Sequence, residues 1–225
     1  MAWAQAASKR FRRDTPANAL SGLRFERLET TMNHAIVVAH PNPASFNQTV
    51  ARTYEAALVA AGHRVVMRDL YALGFDPRLQ ADEIPGAINF APRDDVKKER
   101  DCLAGINAFA FVYPLWLNAP PAILKGYFER VFGMGFAYGP GDGGTVPLLT
   151  GRSAMIFSSS GAPTDWVRKT GAWDELAKLV DEHFAAVCGL KILDHVHFGN
   201  LVPGMRADVV ERHLASVRAA ASKHF

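Results

Sequence analysis

The chain has 225 residues, of which 49% are apolar and 21% charged, a composition typical of one globular domain with a sizeable core. No stretch reaches the uninterrupted apolar length that crosses a bilayer, so we predict no membrane span. Residues 1–31 carry six basic and three acidic residues, which accounts for the whole net charge of +3. The neutral remainder argues against nucleic acid as a partner.

Residues 1–31 are predicted to form a poorly ordered basic extension. They lack the apolar core of a signal peptide and any regular apolar period that would dock them on a domain. Met32 lies just before the first strand-like run, so an over-extended gene start and a real extension both stay open. Residues 32–225 are predicted to form a single domain.

From Met32 onward, strand-like runs alternate with segments of helical length. Five strands are predicted, at 34–39, 63–69, 107–113, 152–158 and 191–198. Helices are predicted near 46–61, 94–105, 121–132, 172–188 and 206–222. This alternation is typical of a doubly wound α/β fold, in which helices cover both faces of a parallel sheet. The second and fifth runs contain polar residues, as edge strands do, so we predict strand order 2-1-3-4-5.

The loop after the first strand, "HPNPASFN" at 40–47, lies where a doubly wound sheet binds its ligand. It lacks the glycines of a dinucleotide-binding turn and the lysine of a P-loop. Ser45 is predicted to cap a helix that begins at Phe46. The free amides of that helix, with Asn47 in its first turn and His40 beside it, would bind a phosphate. On this loop alone, a plain helix cap is the better explanation.

The loop after the third strand is also at this switch point. It belongs to the run "FVYPLWLNAPPAILKGYFERVFGMGFAYG" at 111–139. An extended, proline-fixed segment suits a planar ring system, because its backbone can bind the ring edge while apolar side chains cover one face.

Together these segments resemble the flavodoxin-like NAD(P)H:quinone oxidoreductases, the family that contains DT-diaphorase and the ancillary quinone reductases of potassium efflux systems. "AHPNPASFN" is similar to the A-H-x-x-x-x-S-F-N phosphate loop of that family. "PAILKGYFERVF" and "GFAY" are similar to two further blocks. The resemblance covers residues 32–222.

The resemblance implies a non-covalently bound flavin, with FAD slightly favoured and FMN left open. The residues that would hold its phosphate and ribityl chain are His40, Ser45, Phe46 and Asn47. Those that would line the isoalloxazine ring are Pro114, Leu115, Trp116 and Leu117. The stretch "SSSG" at 158–161 stands where the family has T-T-G-G. There Ser159, Ser160 and Gly161 would contact the flavin, and the backbone N–H groups of Ser160 and Gly161 are the candidate catalytic donors to its N1 and O2 edge.

The implied activity is a two-electron, ping-pong transfer of hydride from NADH or NADPH through the flavin to a quinone or similar planar acceptor. The resemblance also implies a homodimer, and the glycine-rich run at 139–144 is a candidate contact. Two alternatives stay open. One is a flavin-binding regulatory subunit of a cation efflux transporter, and the other is an azo- or nitroreductase of the same fold. A single-electron shuttle is disfavoured, because shuttles of this fold are usually acidic.

The sequence departs from the family at several positions. Leu117 and Asn118 stand where aromatic residues are common. Trp166 and Ala172 stand where some members have the tyrosine and histidine that assist proton movement, so the proton donor is left open.

Other chemistry-bearing residues have plainer explanations. His195 and His197 alternate on the fifth strand without a third ligand at a readable spacing, so we predict no metal and interpret them as solvated or hydrogen-bonded edge histidines. No base is evident for a nucleophile among Ser158–Ser160. The cluster Lys125, Glu129 and Arg130 is interpreted as a solvated, salt-bridged helix face. Two cysteines without pairing spacing favour buried thiols and a cytoplasmic location.

Overall fold

The structure is a computed structural model that describes residues 31–225, so the prediction for the N-terminal extension lies, apart from Thr31, outside the described residues. Within 31–225 no helix combines the length and the apolar character needed to cross a membrane.

The elements alternate along the chain as the sequence predicts. The strands are β1 (Asn33–Val38), β2 (Arg64–Asp69), β3 (Ala108–Pro114), β4 (Tyr138–Gly141), β5 (Gly144–Pro147), β6 (Ser153–Ser159) and β7 (Lys191–Phe198). The helices are α1 (Phe46–Ala60), α2 (Asp94–Leu103), α3 (Ala122–Arg130), α4 (Thr164–Lys169), α5 (Ala172–Ala177), α6 (Ala185–Cys188) and α7 (Ala207–His224). A short 3₁₀ helix spans Ala81–Glu83, and a π-helical segment, Lys178–Phe184, joins α5 to α6.

Five strands form one parallel sheet in the order β2-β1-β3-β6-β7, which confirms the predicted flavodoxin-like topology. The order reverses between β1 and β3, so the loops after these strands diverge at one edge of the sheet. β1, β3 and β6 are almost wholly buried, because helices cover both of their faces. The edge strands β2 and β7 are only partly buried and keep the polar residues that distinguish them in the sequence.

Two hydrophobic layers hold the helices on the sheet. On one face, Tyr54 of α1 and Val217 of α7 pack against Ile36, Val112 and Phe157. On the other face the core is rich in aromatic rings. Its members include Phe109, Phe111, Tyr113, Tyr127 and Phe132. Edge-to-face ring pairs such as Phe111 with Phe128, at 5.1 Å between centroids, fix this second layer.

The structure adds elements that the sequence analysis missed. The glycine-rich run at 139–144 lies in an antiparallel hairpin of β4 and β5. Gly143 has φ of 85° and Gly144 of 155°, a backbone that favours glycine at this turn. The helix α4 was also missed, because its polar sequence shows no apolar stripe.

Two side-chain predictions need correction. Arg130 does not lie on a solvated face: its side chain is 2% exposed and forms ion pairs with Glu83 and Asp95. The pair Lys125–Glu129 is exposed, as predicted. Of the two free thiols, Cys188 is buried but Cys102 is exposed.

Candidate functional site

The loop between β1 and α1 caps the N-terminus of α1 and leaves backbone N–H groups of the first turn free to bind a ligand. Ser45 Oγ accepts from the backbone N–H of Gln48 at 3.2 Å. The first-turn amides of Phe46 and Asn47 have no acceptor one helical turn earlier, so they face whatever lies on the helix axis. An anion placed there would be bound by these amides and by the helix dipole.

His40 is held at the edge of this loop. Its Nδ1 accepts from the backbone N–H of Asn42 at 3.1 Å, and its ring lies 5.7 Å from that of Trp116. Partial burial lowers the pKa of His40, against the opposing effect of the Asn42 hydrogen bond. His40 is therefore neutral at pH 7, and its Nε2–H is a donor.

Asn47 is fixed by a residue from a distant strand. Its Oδ1 accepts from Ser159 Oγ at 2.7 Å, and both residues are buried. Because the amide oxygen is engaged, the Nδ2 group is the end that can donate to a ligand. Ser159 ends β6, two strands away from β1, so this contact joins the first and third loops of the site.

The loop after β3 forms a tight turn. Trp116 and Ala119 exchange two backbone hydrogen bonds, of 3.0 and 3.1 Å. The two residues between them, Leu117 and Asn118, have φ of 52° and 58°, as a type I′ turn requires. Asn118 Nδ2 donates to the Ala172 carbonyl at 3.0 Å. Leu117 is fully exposed at the tip, and Trp116 is 45% exposed.

One predicted catalytic donor is not available. The backbone N–H of Ser160 donates to the Phe198 carbonyl at 2.9 Å and continues the β6–β7 pairing. It therefore does not face a ligand at the end of the sheet. Of the two predicted backbone donors, Gly161 stays a candidate.

These loops enclose a cleft of about 210 Å³ at the switch point. It is lined by His40, Phe46, Asn47, Pro114, Leu115, Trp116, Ser159, Ser160, Gly161 and Leu201. All but Leu201 are predicted site residues. Leu201 follows β7, so the rule that strand ends form the site would have found it. Ser45 and Leu117 are not among the lining residues: Ser45 acts as the cap, and Leu117 points outward.

A chain of hydrogen bonds runs from the cleft into the protein. Ser160 Oγ lies 3.1 Å from His197 Nε2, and His197 Nδ1 lies 2.9 Å from Ser158 Oγ. Ser158 Oγ is 2.7 Å from His195 Nε2, and His195 Nδ1 is 2.8 Å from Asp181 Oδ2. These five residues are called the serine–histidine chain below. The two histidines are thus hydrogen-bonded residues of an edge strand, as one of the two predicted alternatives has it, but their partners were not predicted from the sequence.

No base for a serine nucleophile is evident from the sequence, whereas the structure places Ser158, His195 and Asp181 in the order of a catalytic triad. Ser158 is nevertheless fully buried and does not line the cleft. A nucleophile must touch its substrate, so the arrangement does not support hydrolysis.

Two relatives each match about three quarters of the chain. A protein of Haemophilus influenzae named an uncharacterized NAD(P)H oxidoreductase is 34% identical over 171 residues, which is 76% of this chain and 85% of that protein. NAD(P)H dehydrogenase [quinone] 1 of Cavia porcellus is 29% identical over 78% of this chain and 72% of its own length.

Solved structures show the same fold. The NAD(P)H:quinone oxidoreductase of Methanothermobacter marburgensis superposes with a TM-score of 0.74 at 26% identity, over 87% of this chain and 99% of that one. An FMN-dependent NADH-azoreductase of Bacillus anthracis, in complex with FMN, superposes with a TM-score of 0.66 at 17% identity, over 85% and 98%, and shows the fold alone. Residues 32–224 match the family described as having a flavodoxin-like fold. The chain therefore belongs to the flavodoxin-like family that includes these NAD(P)H oxidoreductases.

Proposed function

We propose that the protein is an NAD(P)H-dependent oxidoreductase that carries hydride through a non-covalently bound flavin to a quinone or similar planar acceptor. The observation that supports it most is the convergence of a capped helix N-terminus, the tight turn after β3 and the end of β6 on one cleft at the switch point. The names of the relatives support the same reaction class.

The residues of the cleft fit the parts of a flavin. The first-turn amides of α1 and the Nε2–H of His40 are donors for a phosphate, and Asn47 is fixed by Ser159 with its Nδ2 able to donate. Pro114, Leu115 and Trp116 provide an apolar wall for a planar ring. The bound flavin would supply the two-electron chemistry, and the protein would supply position and electrostatics.

The cleft is smaller than the roughly 300–1,000 Å³ usual for ligands of drug size. Trp116 and Leu117 stand exposed on its open side. This shape supports a homodimer in which a second copy completes the pocket. Light scattering of the purified protein tests it, and a monomer with full activity would exclude a completed pocket.

The deciding experiment is an absorption spectrum of the full-length protein purified from cells supplied with riboflavin. We expect a flavin spectrum that bleaches when NADH or NADPH is added without oxygen and returns when a quinone is added. The released flavin, separated by chromatography, distinguishes FAD from FMN. A colourless protein that binds neither added flavin would exclude the proposal.

Variants locate the flavin in the cleft. Asn47→Ala and Trp116→Ala should each lower the flavin content of the purified protein, because they remove a phosphate-loop donor and a wall of the cleft. Asn89→Ala changes an exposed asparagine outside the cleft and is the matched control. If both cleft variants kept the full flavin content, the flavin would bind elsewhere.

A further inference from the structure

The hydrogens of the serine–histidine chain follow from its acceptors. Ser160 Oγ also lies 2.9 Å from the Ala162 carbonyl, which only accepts, so the single hydroxyl hydrogen of Ser160 points there. His197 Nε2 must then donate to Ser160. In a neutral His197 the other nitrogen, Nδ1, carries no hydrogen, so Ser158 donates to it.

The other end of the serine–histidine chain is the hydrogen-bonded pair of His195 and Asp181. Ser158 has one hydrogen and already donates it, so His195 Nε2 must donate to Ser158. His195 Nδ1 faces Asp181, and a carboxylate has no hydrogen to give. With Asp181 ionised, both nitrogens of His195 therefore carry hydrogen, and His195 is an imidazolium held by the Asp181 carboxylate.

From this geometry we infer that the serine–histidine chain is a proton relay: it holds a proton on His195 and delivers it through Ser158 and His197 to Ser160 at the cleft. The inference rests on the proposed function, whose reaction consumes one proton for each hydride passed to a quinone. The relay would supply a proton path in a protein that has Trp166 and Ala172 at the family's tyrosine and histidine positions.

The proton transfer involves no change of oxidation state. Ser160 turns its hydroxyl from the Ala162 carbonyl to the cleft and gives up its proton there, while it receives one from His197 Nε2. His197 Nδ1 takes the proton of Ser158, and Ser158 takes that of His195 Nε2. Each N–H or O–H bond that breaks is replaced by one that forms, and His195 is left neutral. To reload, the rings of His195 and His197 and the hydroxyl of Ser158 turn over, so that the bare nitrogen of His195 faces Asp181 and the N–H of His197 again faces Ser160. Solvent then protonates His195 beside Asp181, whose side chain is 17% exposed, whereas that of His195 is only 5% exposed.

An aromatic ring covers both histidines of the serine–histidine chain. The ring of Trp173 lies 4.6 Å from that of His195 and 5.5 Å from that of His197. Arg168 of α4 lies over the outer side of Trp173, at 5.8 Å. Asp181 lies within the π-helical segment, where helix widening re-aims side chains, often at functional sites.

Burial and the neighbouring charges favour a neutral His197. Burial, then the positive charges of His195 and Arg168, lower the pKa of His197 to about 4. Asp181 is the acidic group in contact with His195, and its charge, after burial, raises the pKa of Tyr113 on β3. A neutral His197 has one nitrogen that donates and one that accepts, as a relay requires.

Nuclear magnetic resonance of full-length protein with ¹⁵N-labelled histidine tests the protonation pattern without a flavin or turnover. We expect His195 to show two protonated nitrogens at pH 7 and His197 to show hydrogen on Nε2 only. Signals are assigned by their loss in His195→Gln and His197→Gln. A neutral His195 in the wild-type protein would overturn the relay.

Kinetics supply the second readout. His197→Gln keeps a polar side chain but cannot shift a proton between two nitrogens, so kcat for quinone reduction should fall at least about tenfold. The ratio of wild-type kcat to variant kcat should rise with pH, because in the variant solvent must supply the proton directly and the proton concentration falls. The flavin affinity of the variant should stay within about twofold of the wild type. His183→Gln, an exposed histidine of the same π-helical segment, is the matched control.

The two proposals fail in different ways. If the protein binds flavin and NAD(P)H bleaches it, but His197→Gln keeps the wild-type kcat and pH profile, the relay is wrong and the proposed function stands. If no flavin binds, the proposed function is wrong, and the histidine protonation pattern still decides whether the chain is loaded with a proton.

Discussion

The buried guanidinium of Arg130 joins α3 to residues that lie 35 to 54 positions earlier in the sequence. It forms paired hydrogen bonds with Glu83, both at 2.9 Å, and with Asp95, at 2.7 and 3.0 Å. It also donates to the carbonyl of Asp76. Removing one partner from such a network destabilises the protein, because the buried charge that remains has no opposite charge to compensate for its desolvation.

We therefore expect Arg130→Met to lower the free energy of unfolding by about 3–5 kcal/mol, since Glu83 would stay buried without its partner. Lys125→Met breaks the exposed pair with Glu129 on the same helix and should cost less than about 1 kcal/mol. Urea denaturation measures both. Equal, small losses would show that the buried network does not stabilise the fold.

A second single residue, Ser159, is expected to affect flavin binding. Ser159→Ala removes the donor that holds the carboxamide of Asn47, so that group would rotate freely in the unliganded protein. We expect flavin affinity to weaken by about 3- to 30-fold, the effect of roughly one hydrogen bond. Fluorescence titration of the flavin-free protein measures it, with the exposed Ser216→Ala as control. An unchanged Kd would mean that Asn47 does not need this contact.

At the scale of elements, the turn after β3 holds a conformation that its sequence does not favour. Leu117 has φ of 52°, in the left-handed region that favours glycine or asparagine, and its fully exposed side chain packs on nothing within the described chain. The strain lies beside the cleft, at the tip that we propose a second copy covers.

Leu117→Gly should raise the free energy of unfolding by about 1 kcal/mol, because glycine adopts this backbone without the Cβ clash. Leu73→Gly, at a partly exposed leucine whose φ is not in the left-handed region, should lower it. Thermal denaturation of the two variants measures the difference in sign. A loss of stability in Leu117→Gly would show that the leucine makes a favourable contact.

Gly126 decides how α3 docks. A Cβ at this position would overlap the carbonyl oxygen, Cα and Cβ of Pro77. Only glycine at this position therefore allows α3 to pack directly against Pro77. Gly126→Ala should cost about 2 kcal/mol or more of unfolding free energy, despite the better helix propensity of alanine. Gly105→Ala, where the space is open, is the control, and similar effects at both sites would contradict close packing at Gly126.

For the whole molecule, buried histidines link stability to pH. His34 is 2% exposed, and its ring packs 4.5 Å from that of Phe225 and 5.1 Å from that of His63. Burial first, and then the charge of His63, lower the pKa of His34 from 6.5 to about 4. His197 is shifted in the same direction. Between these pH values the unfolded chain binds more protons than the native one, so stability is retained above pH 6.5 and falls as pH drops towards 4.

His34→Leu should remove part of this loss, because leucine stays neutral in both states. We expect the drop in unfolding free energy between pH 6.5 and 4 to shrink by about 1–3 kcal/mol. Denaturation curves at several pH values measure it, with the exposed His183→Gln as control. An undiminished drop would assign the acid sensitivity to other groups.

Local sequence patterns predict the fold class and most of the residues that line the cleft. Buried parallel strands read as apolar runs and edge strands as mixed ones, so the order β2-β1-β3-β6-β7 was predictable from local pattern. The strand order then placed the loops that begin at His40 and Pro114 together, and the resemblance supplied their family. These features depend on periodicity and on short contiguous motifs, which a single sequence displays.

Which polar groups form hydrogen bonds with one another depends on the three-dimensional packing and was not predictable from the sequence. The carboxylate of Asp181 reaches His195 through a π-helical segment, and Ser158 reaches two histidines across a strand pair, neither of which has a local sequence signal. The N–H of Ser160 is used in the sheet, so its hydroxyl, not its amide, is the group linked to the chain. Hydrogen bonds between distant residues are set by packing geometry to within a few tenths of an ångström, and sequence spacing does not encode that geometry.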